Sequence, residues 1–153
     1  MARKDSIRLR GKVKIQLFGP DGRLKETRLV NNLVVTAGLG WIAGRLKYTA
    51  DVPTQMGYMA VGTDNTAAAA GQTALIGTEL GRVALDSNPT AVGAVTSFVA
   101  TFPAGTGTGA IVEAAILNAA AAGTMLCRTV FAVVNKGASD SMTITWTVTA
   151  SAA

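Results

Sequence analysis

The sequence has no histidine and a single cysteine, and both shortages exclude kinds of chemistry. Histidine is the commonest general base and a frequent zinc ligand, so its absence argues against the usual acid–base and zinc sites. The one cysteine, Cys127, stands in an apolar run and cannot close a disulfide within the chain. We interpret it as a buried, inert thiol in a protein that folds in a reducing cytoplasm.

The remaining candidates for a catalytic or cofactor site fail on spacing. The acidic residues from 51 to 140 are scattered, and none forms a close pair in the sequence. The glycines at 38, 40 and 44 do not have the GxGxxG spacing of a dinucleotide loop, and no GK[ST] signature is present. We therefore expect no enzyme activity, no cofactor and no metal.

Long apolar segments are also missing. The basic N-terminus is not followed by an apolar signal region, and charged residues interrupt every weakly charged stretch before it reaches the roughly 20 residues of a membrane span. The sequence therefore predicts a protein without a membrane partner that is made in a cytoplasm.

Charged residues are few, and they are unevenly distributed. Residues 1–48 hold 11 Lys and Arg but three acids, whereas residues 49–153 hold three bases and six acids. Such a split favours an oppositely charged partner, and we expect an acidic protein surface. Nucleic acid is the weaker expectation, because no aromatic residue is interleaved in residues 1–17. The candidate contact residues are Arg3, Lys4, Arg8, Arg10, Lys12 and Lys14.

The first 30 residues predict an arm followed by a hairpin. Residues 1–10 have little to bury, and we expect an extended or loosely held arm, with a disordered terminus as the alternative. Residues 12–17 alternate polar and apolar side chains, a Gly-Pro-Asp-Gly turn follows at 19–22, and residues 23–30 return with apolar Leu24, Leu29 and Val30, which predicts a β-hairpin. A two-stranded ribbon is marginal alone, so it must pair with the body or with a partner.

The clearest strand pattern lies at residues 142–149, where threonine occupies every odd position. Side chains alternate between the two faces of a strand, so the even positions should be buried. Further strands are predicted at 95–102, 110–117 and 125–134, and the last of these is apolar on both faces, as in a central, covered strand. The candidate core or subunit-packing residues are Trp41, Phe98, Phe102, Phe131, Met142, Ile144, Trp146 and Val148.

One short helix is predicted among these strands. Residues 37–46 follow Thr36, a plausible N-cap, and place Leu39, Ile42, Ala43 and Leu46 on one face. Shorter strands are expected at 56–61 and 82–85, and the alanine-rich residues 63–76 could form a helical turn or a draped loop. Several short strands with turns between them predict a mainly β fold, a jelly-roll-like antiparallel β-sandwich. It would comprise an arm and hairpin at 1–30 and a body at 31–153 within a single domain overall.

Glu113 is the one charge in the apolar strand 110–117. It could lie on an exposed face, or it could pair with Arg128 across the hairpin. If the pair is buried, we expect it to specify the register of the strands more than to add stability.

Three groups of segments resemble small virion proteins of tailed bacteriophages. They are residues 32–43 (NLVVTAGLGWIA), residues 59–63 (MAVGT) with 73–82 (TALIGTELGR), and residues 107–114 (GTGAIVEA) with 123–126 (GTML) and 143–146 (TITW). Together they span most of residues 31–149. Similar chains include capsid cement, decoration and tail-fibre-like proteins.

This resemblance implies a structural component of a virion. Cement proteins are often sandwich domains that lie outside the shell as dimers or trimers and tie capsid subunits together. We therefore expect a cement protein that binds the major capsid protein on the capsid exterior after assembly in the host cytoplasm. The alternative is a tail-fibre or receptor-binding adhesin, with the threonine face of 142–149 or the loops at Gly105 and Ala119 directed at a cell surface.

Overall fold

The structure is a computed structural model that describes residues 5–47 and 51–153. These residues form nine β-strands and one α-helix, which confirms the mainly β prediction. In chain order the elements are β1 (Ile7–Phe18), β2 (Leu24–Val34), α1 (Thr36–Arg45), β3 (Tyr58–Gly62), β4 (Glu79–Ala84), β5 (Thr90–Val92), β6 (Val95–Phe102), β7 (Gly109–Leu117), β8 (Met125–Lys136) and β9 (Ser141–Ala152).

All strand pairs are antiparallel, and together they make one curled sheet in the order β4-β3-β7-β8-β2-β1-β9-β6-β5. Strand β2 connects its two halves. The β2 residues up to Asn32 pair with β1, whereas Leu33 and Val34 pair with β8. We call β2-β1-β9-β6-β5 the first layer and β8-β7-β3-β4 the second layer. The sandwich is therefore continuous through β2.

The hydrophobic core lies between the two layers. Met142, Ile144 and Trp146 of β9 are fully buried and Val148 is 8% exposed, as the alternation in this strand predicted. Burial of side chains of this size contributes about 1.5–3 kcal/mol each. The predicted core residues Phe98, Phe102 and Phe131 are also buried, whereas Trp41 is partly buried and packs against the core from α1.

The open side of the sandwich is closed by Asp86, which follows β4. Its backbone N–H donates to the carbonyl of Val99 in β6 at 2.8 Å. Its carboxylate accepts hydrogen bonds from the N–H and the hydroxyl of Thr101, at 2.9 and 2.7 Å. These bonds join the end of the second layer to β6 in the first.

The N-terminal hairpin is confirmed, and residues 7–10 are extended, as one of the two descriptions of the arm predicted, but they are not loosely held. These residues belong to β1, which pairs with β9 from Ile7 opposite Ala152 to Phe18 opposite Ser141. Because β1 lies between β2 and β9, the hairpin is built into the sheet. The candidate residues Arg3 and Lys4 lie outside the described residues.

The predicted helix is present, but two details were wrong. Thr36 is its first helical residue, and Val35 holds the N-cap position without a side-chain cap. Leu39 and Leu46 point outward, with 50% and 83% of their surface exposed. Gly38 is buried instead, against the backbone carbonyl of Leu126, and a β-carbon at this position would overlap that oxygen. This close approach determines which face of α1 packs on the sheet.

Candidate functional site: a basic and threonine-rich face

The outward side of β1 carries a row of basic residues. Arg8, Arg10, Lys12 and Lys14 are exposed, while Val13 and Ile15 point into the core. Side chains on one face of a strand recur every two residues, about 7 Å apart, so the row is about 20 Å long. Because β1 is held by strand pairing, the position of each α-carbon in the row is fixed.

The threonines of β9 lie directly beside this row. The register places Arg10 opposite Thr149, Lys12 opposite Thr147, and Lys14 opposite Thr145. On the far side of β9, the hydroxyl of Thr101 in β6 lies 3.2 Å from that of Thr143. We call this surface the basic–threonine face; its residues are Arg8, Arg10, Lys12, Lys14, Thr143, Thr145, Thr147 and Thr149.

The positive charge of the basic–threonine face is not neutralised within the described part of the chain. The five ion pairs found there involve Arg23, Lys25, Arg28, Arg82 and Arg128, and none includes a cation of the row. At physiological ionic strength the field of exposed charges is screened over about 8 Å. The face can therefore attract an anionic surface at short range.

Near the tip of the β1–β2 hairpin, an ion pair between Lys25 and Asp140 joins β2 to the loop between β8 and β9. The Lys25 ammonium contacts Asp140 at 2.8 Å, and Asp140 also accepts the N–H of Gly137 at 2.9 Å. These bonds lower the pKa of Asp140. Lys136 is nearly buried and donates to the carbonyl of Pro103; burial lowers its pKa, and the charge of Asp140 opposes that shift. Its ammonium therefore joins the end of β8 to the loop that follows β6.

The predicted pair of Glu113 and Arg128 is confirmed, and both side chains are fully buried. One carboxylate oxygen lies 2.9 Å from Nε and 2.8 Å from Nη2 of Arg128. The carboxylate also accepts three backbone N–H groups, from Asp64, Ile76 and Gly77, at 2.9–3.1 Å. A buried carboxylate is therefore bonded to a loop far away in the sequence.

That loop, residues 63–77, is the alanine-rich segment, and it drapes over the outer face of the second layer. Arg128 donates to the carbonyl of Thr66 at 2.8 Å and to the side chain of Gln72 at 3.1 Å. The carbonyl of Ala70 in turn accepts the N–H of Thr36 at the start of α1. The sequence indicated the ion pair, but the bonded loop residues were missed, because backbone groups carry no sequence signal.

A groove lies between α1 and the end of the first layer. It consists of two adjoining cavities of about 230 Å³ each, and both are lined by Trp41, Thr96 and Phe98. The Arg45 guanidinium lies 5.9 Å from the centre of the Trp41 ring, and the indole N–H donates to the carbonyl of Thr54. The lining contains the Thr96 hydroxyl but no cysteine and no carboxylate.

The other reactive groups in the part of the chain that the structure describes do not form a catalytic cluster. Cys127 is buried, and burial raises the pKa of its thiol well above the usual value. Across residues 5–47 and 51–153, no three His, Cys, Asp or Glu side chains cluster closely enough to hold a metal ion. No helix in those ranges has the length and apolar character needed to cross a membrane. The basic–threonine face is thus the best candidate for a functional surface.

Comparisons with known proteins give no match: no family model, no curated protein and no solved structure matches the chain at a significant level.

Proposed function

We propose that the protein is a virion structural protein of the capsid cement type, which binds the outer surface of the major capsid protein and stabilises the shell. The observation that carries this proposal is the row of four basic residues on a rigid strand, without an ion pair among the described residues. The sequence segments between residues 32 and 146 that resemble phage virion proteins suggest the particle to which such a surface would bind.

Binding would come from many weak contacts. An exposed ion pair contributes roughly 0.2–1 kcal/mol, so one copy holding four of them binds weakly. When copies associate, each further contact becomes intramolecular and the total affinity rises steeply. We propose that copies associate as a dimer or trimer, and the exposed apolar side chains of Ile7, Leu29, Leu46 and Val92, each more than 70% exposed, are candidates for that contact.

A charge reversal tests the proposal. The double variant Arg8→Glu, Arg10→Glu changes only outward-pointing side chains, so the strand pairing of β1 should persist. The matched control is Arg23→Glu, Lys47→Glu, which makes the same change in net charge at exposed positions outside the row. Binding to purified, undecorated shells would be measured by co-sedimentation over a range of salt concentrations.

We expect the first double variant to bind weakly at low salt, while the control binds like the wild type. Wild-type binding should weaken as salt rises, because screening reduces the attraction between exposed charges. Normal decoration of shells by the Arg8→Glu, Arg10→Glu variant at every salt concentration would contradict the proposal.

The threonines favour a second candidate, a tail-fibre or receptor-binding adhesin. Thr143, Thr145 and Thr147 are half-buried and Thr149 is exposed, so their hydroxyls form a regular row on the outer face of the first layer. Such a row can donate to and accept from the hydroxyl groups of a cell-surface glycan. An adhesin would be present at the tail in few copies, whereas a cement protein covers the whole shell.

A further inference from the structure

The N-terminal part of β1 is paired on one side only. Residues 7–10 pair with residues 149–152 of β9. Pairing of β1 with β2 begins at Gly11 opposite Asn32, and the next β2 residues, Leu33 and Val34, pair with β8 instead. Within the described ranges, residues 7–10 therefore form a free strand edge in the middle of the sheet order.

The backbone groups of Ile7 and Leu9 are directed at this free edge. The N–H of Ala153 donates to the carbonyl of Ser6 at 3.0 Å, in register with the pairing of β1 and β9. Residues of an antiparallel strand turn their N–H and C=O groups to alternate sides, so the even-numbered residues of β1 bond to β9. The N–H and C=O of Ile7 and of Leu9 therefore point away from β9, to the side on which β2 pairs with β1 only from Gly11 onward.

Beside this edge is an open space. A cavity of about 450 Å³ lies where β1 and β2 diverge, and it is lined by Leu9, Arg10, Gly11, Lys12, Asn31 and Asn32. The side-chain amide of Asn32 is shielded from solvent, and neither its oxygen nor its nitrogen has a hydrogen-bond partner among the described residues. The cavity therefore leaves room for another extended chain next to Leu9 and Arg10, where the pairing of β1 with β2 ends.

We propose that this edge binds an extended acidic segment of the partner protein as an added antiparallel strand. This inference rests on the proposed function, with residues 7–10 of β1 as the segment that contacts the partner. Backbone bonds to Ile7 and Leu9 would supply affinity, as in other cases of strand addition. Alternate carboxylates would reach the exposed Arg8 and Arg10. A second copy of β1 is a poor occupant, because its arginines would face these like charges.

A synthetic peptide of about ten alternating Glu and Val residues, long enough for one strand, is the probe. We expect it to bind the intact protein and to slow amide hydrogen exchange at Ile7 and Leu9, while a Gln–Val peptide of the same length binds at least about tenfold more weakly. Binding without protection of these two amides would overturn the proposal, and so would stronger binding of a single-stranded oligonucleotide of equal charge.

The variant Ile7→Pro removes one N–H that points away from β9, so pairing with β9 should survive. The matched variant Ile7→Val keeps that N–H and a similar side chain. We expect Ile7→Pro to weaken both peptide binding and shell binding by about tenfold or more, and Ile7→Val to resemble the wild type.

Shell binding separates the two proposals. If Ile7→Pro decorates shells normally while Arg8→Glu, Arg10→Glu does not, strand addition is wrong and electrostatic docking stands. If both variants decorate normally, the docking role of the basic–threonine face fails as well.

Discussion

Replacing Glu113 by glutamine tests the role of the buried ion pair in holding the 63–77 loop. The substitution keeps the size of the side chain but leaves the Arg128 guanidinium buried without its counter-charge. It also replaces one of the two accepting oxygens by an NH2 donor, so the N–H groups of either Asp64 and Gly77 or Ile76 and Arg128 lose their acceptor. We therefore expect the loop to detach from the second layer more easily and the whole domain to lose stability.

The magnitude follows from the complete burial of both side chains. Removing one partner of a buried pair costs about 3–5 kcal/mol, and we expect the lower end, about 3 kcal/mol, because glutamine still accepts hydrogen bonds. For a chain of this length that is a fall of about 6–12 °C in Tm. The double variant Glu113→Gln, Arg128→Met should lose less than the sum of the two single variants, because it leaves no unpaired charge.

Urea denaturation gives the free energy of unfolding, and amide exchange at Ile76 and Gly77 reports detachment of the loop. The matched control is Glu79→Gln, which breaks an ion pair with Arg82 whose carboxylate is 36% exposed. That control should cost less than about 1 kcal/mol. If Glu113→Gln cost no more than the control and left exchange at Ile76 and Gly77 unchanged, the ion pair would not hold the loop.

Three further predictions concern other parts of the fold. The pKa of Asp140 is lowered in the folded state. The ionised carboxylate therefore contributes to stability above the ordinary pKa of 3.8, and this contribution is lost as pH falls through the lower folded pKa. Asp140→Asn should flatten the acid side of a plot of Tm against pH, and an unchanged slope would refute this. Gly38→Ala should cost about 1–3 kcal/mol by overlap with the Leu126 carbonyl, whereas Gly40→Ala, which has open space, should be neutral or stabilising by up to about 1 kcal/mol in urea denaturation. Native Cys127 should resist iodoacetamide at pH values where the unfolded chain reacts, and rapid native alkylation followed by mass spectrometry would contradict its burial.

Local patterns predicted most of the strands. The alternation at residues 142–149 indicated the four buried side chains of β9, and the turn at 19–22 indicated the β1–β2 hairpin. A lone acid and a lone base on neighbouring apolar strands indicated the pair of Glu113 and Arg128. These features depend on residues close in sequence or on one hairpin, where side-chain type constrains the geometry.

Features that depend on distant contacts were not predicted. Strand β1 lies between β2 and β9, so one of its faces packs on the core although the other face is basic. The composition of residues 1–10 alone indicated an arm. The exposed face of α1 was misjudged because the contact of Gly38 with Leu126, rather than the pattern of leucines, determines how the helix packs. The short strand β5 has three exposed residues and no apolar pattern.

The basic residues were identified from charge, but their arrangement as a face was not. Arg8, Arg10, Lys12 and Lys14 form a row only because β1 is a continuous strand, and the threonines of β9 join them only through the register of β1 and β9. The free edge at Ile7 and Leu9 arises because β2 changes layers after Asn32, and the pairing of Leu33 and Val34 with β8 depends on residues distant in sequence.

The most direct test of the proposed function is the location and copy number of this protein in purified virions, measured by cryo-electron microscopy together with quantitative mass spectrometry. A capsid cement protein would appear as repeated density over the outer surface of the shell, with the basic–threonine face against the capsid subunits and a copy number comparable to theirs. Density confined to the tail, or absence of the protein from the particle, would contradict that function.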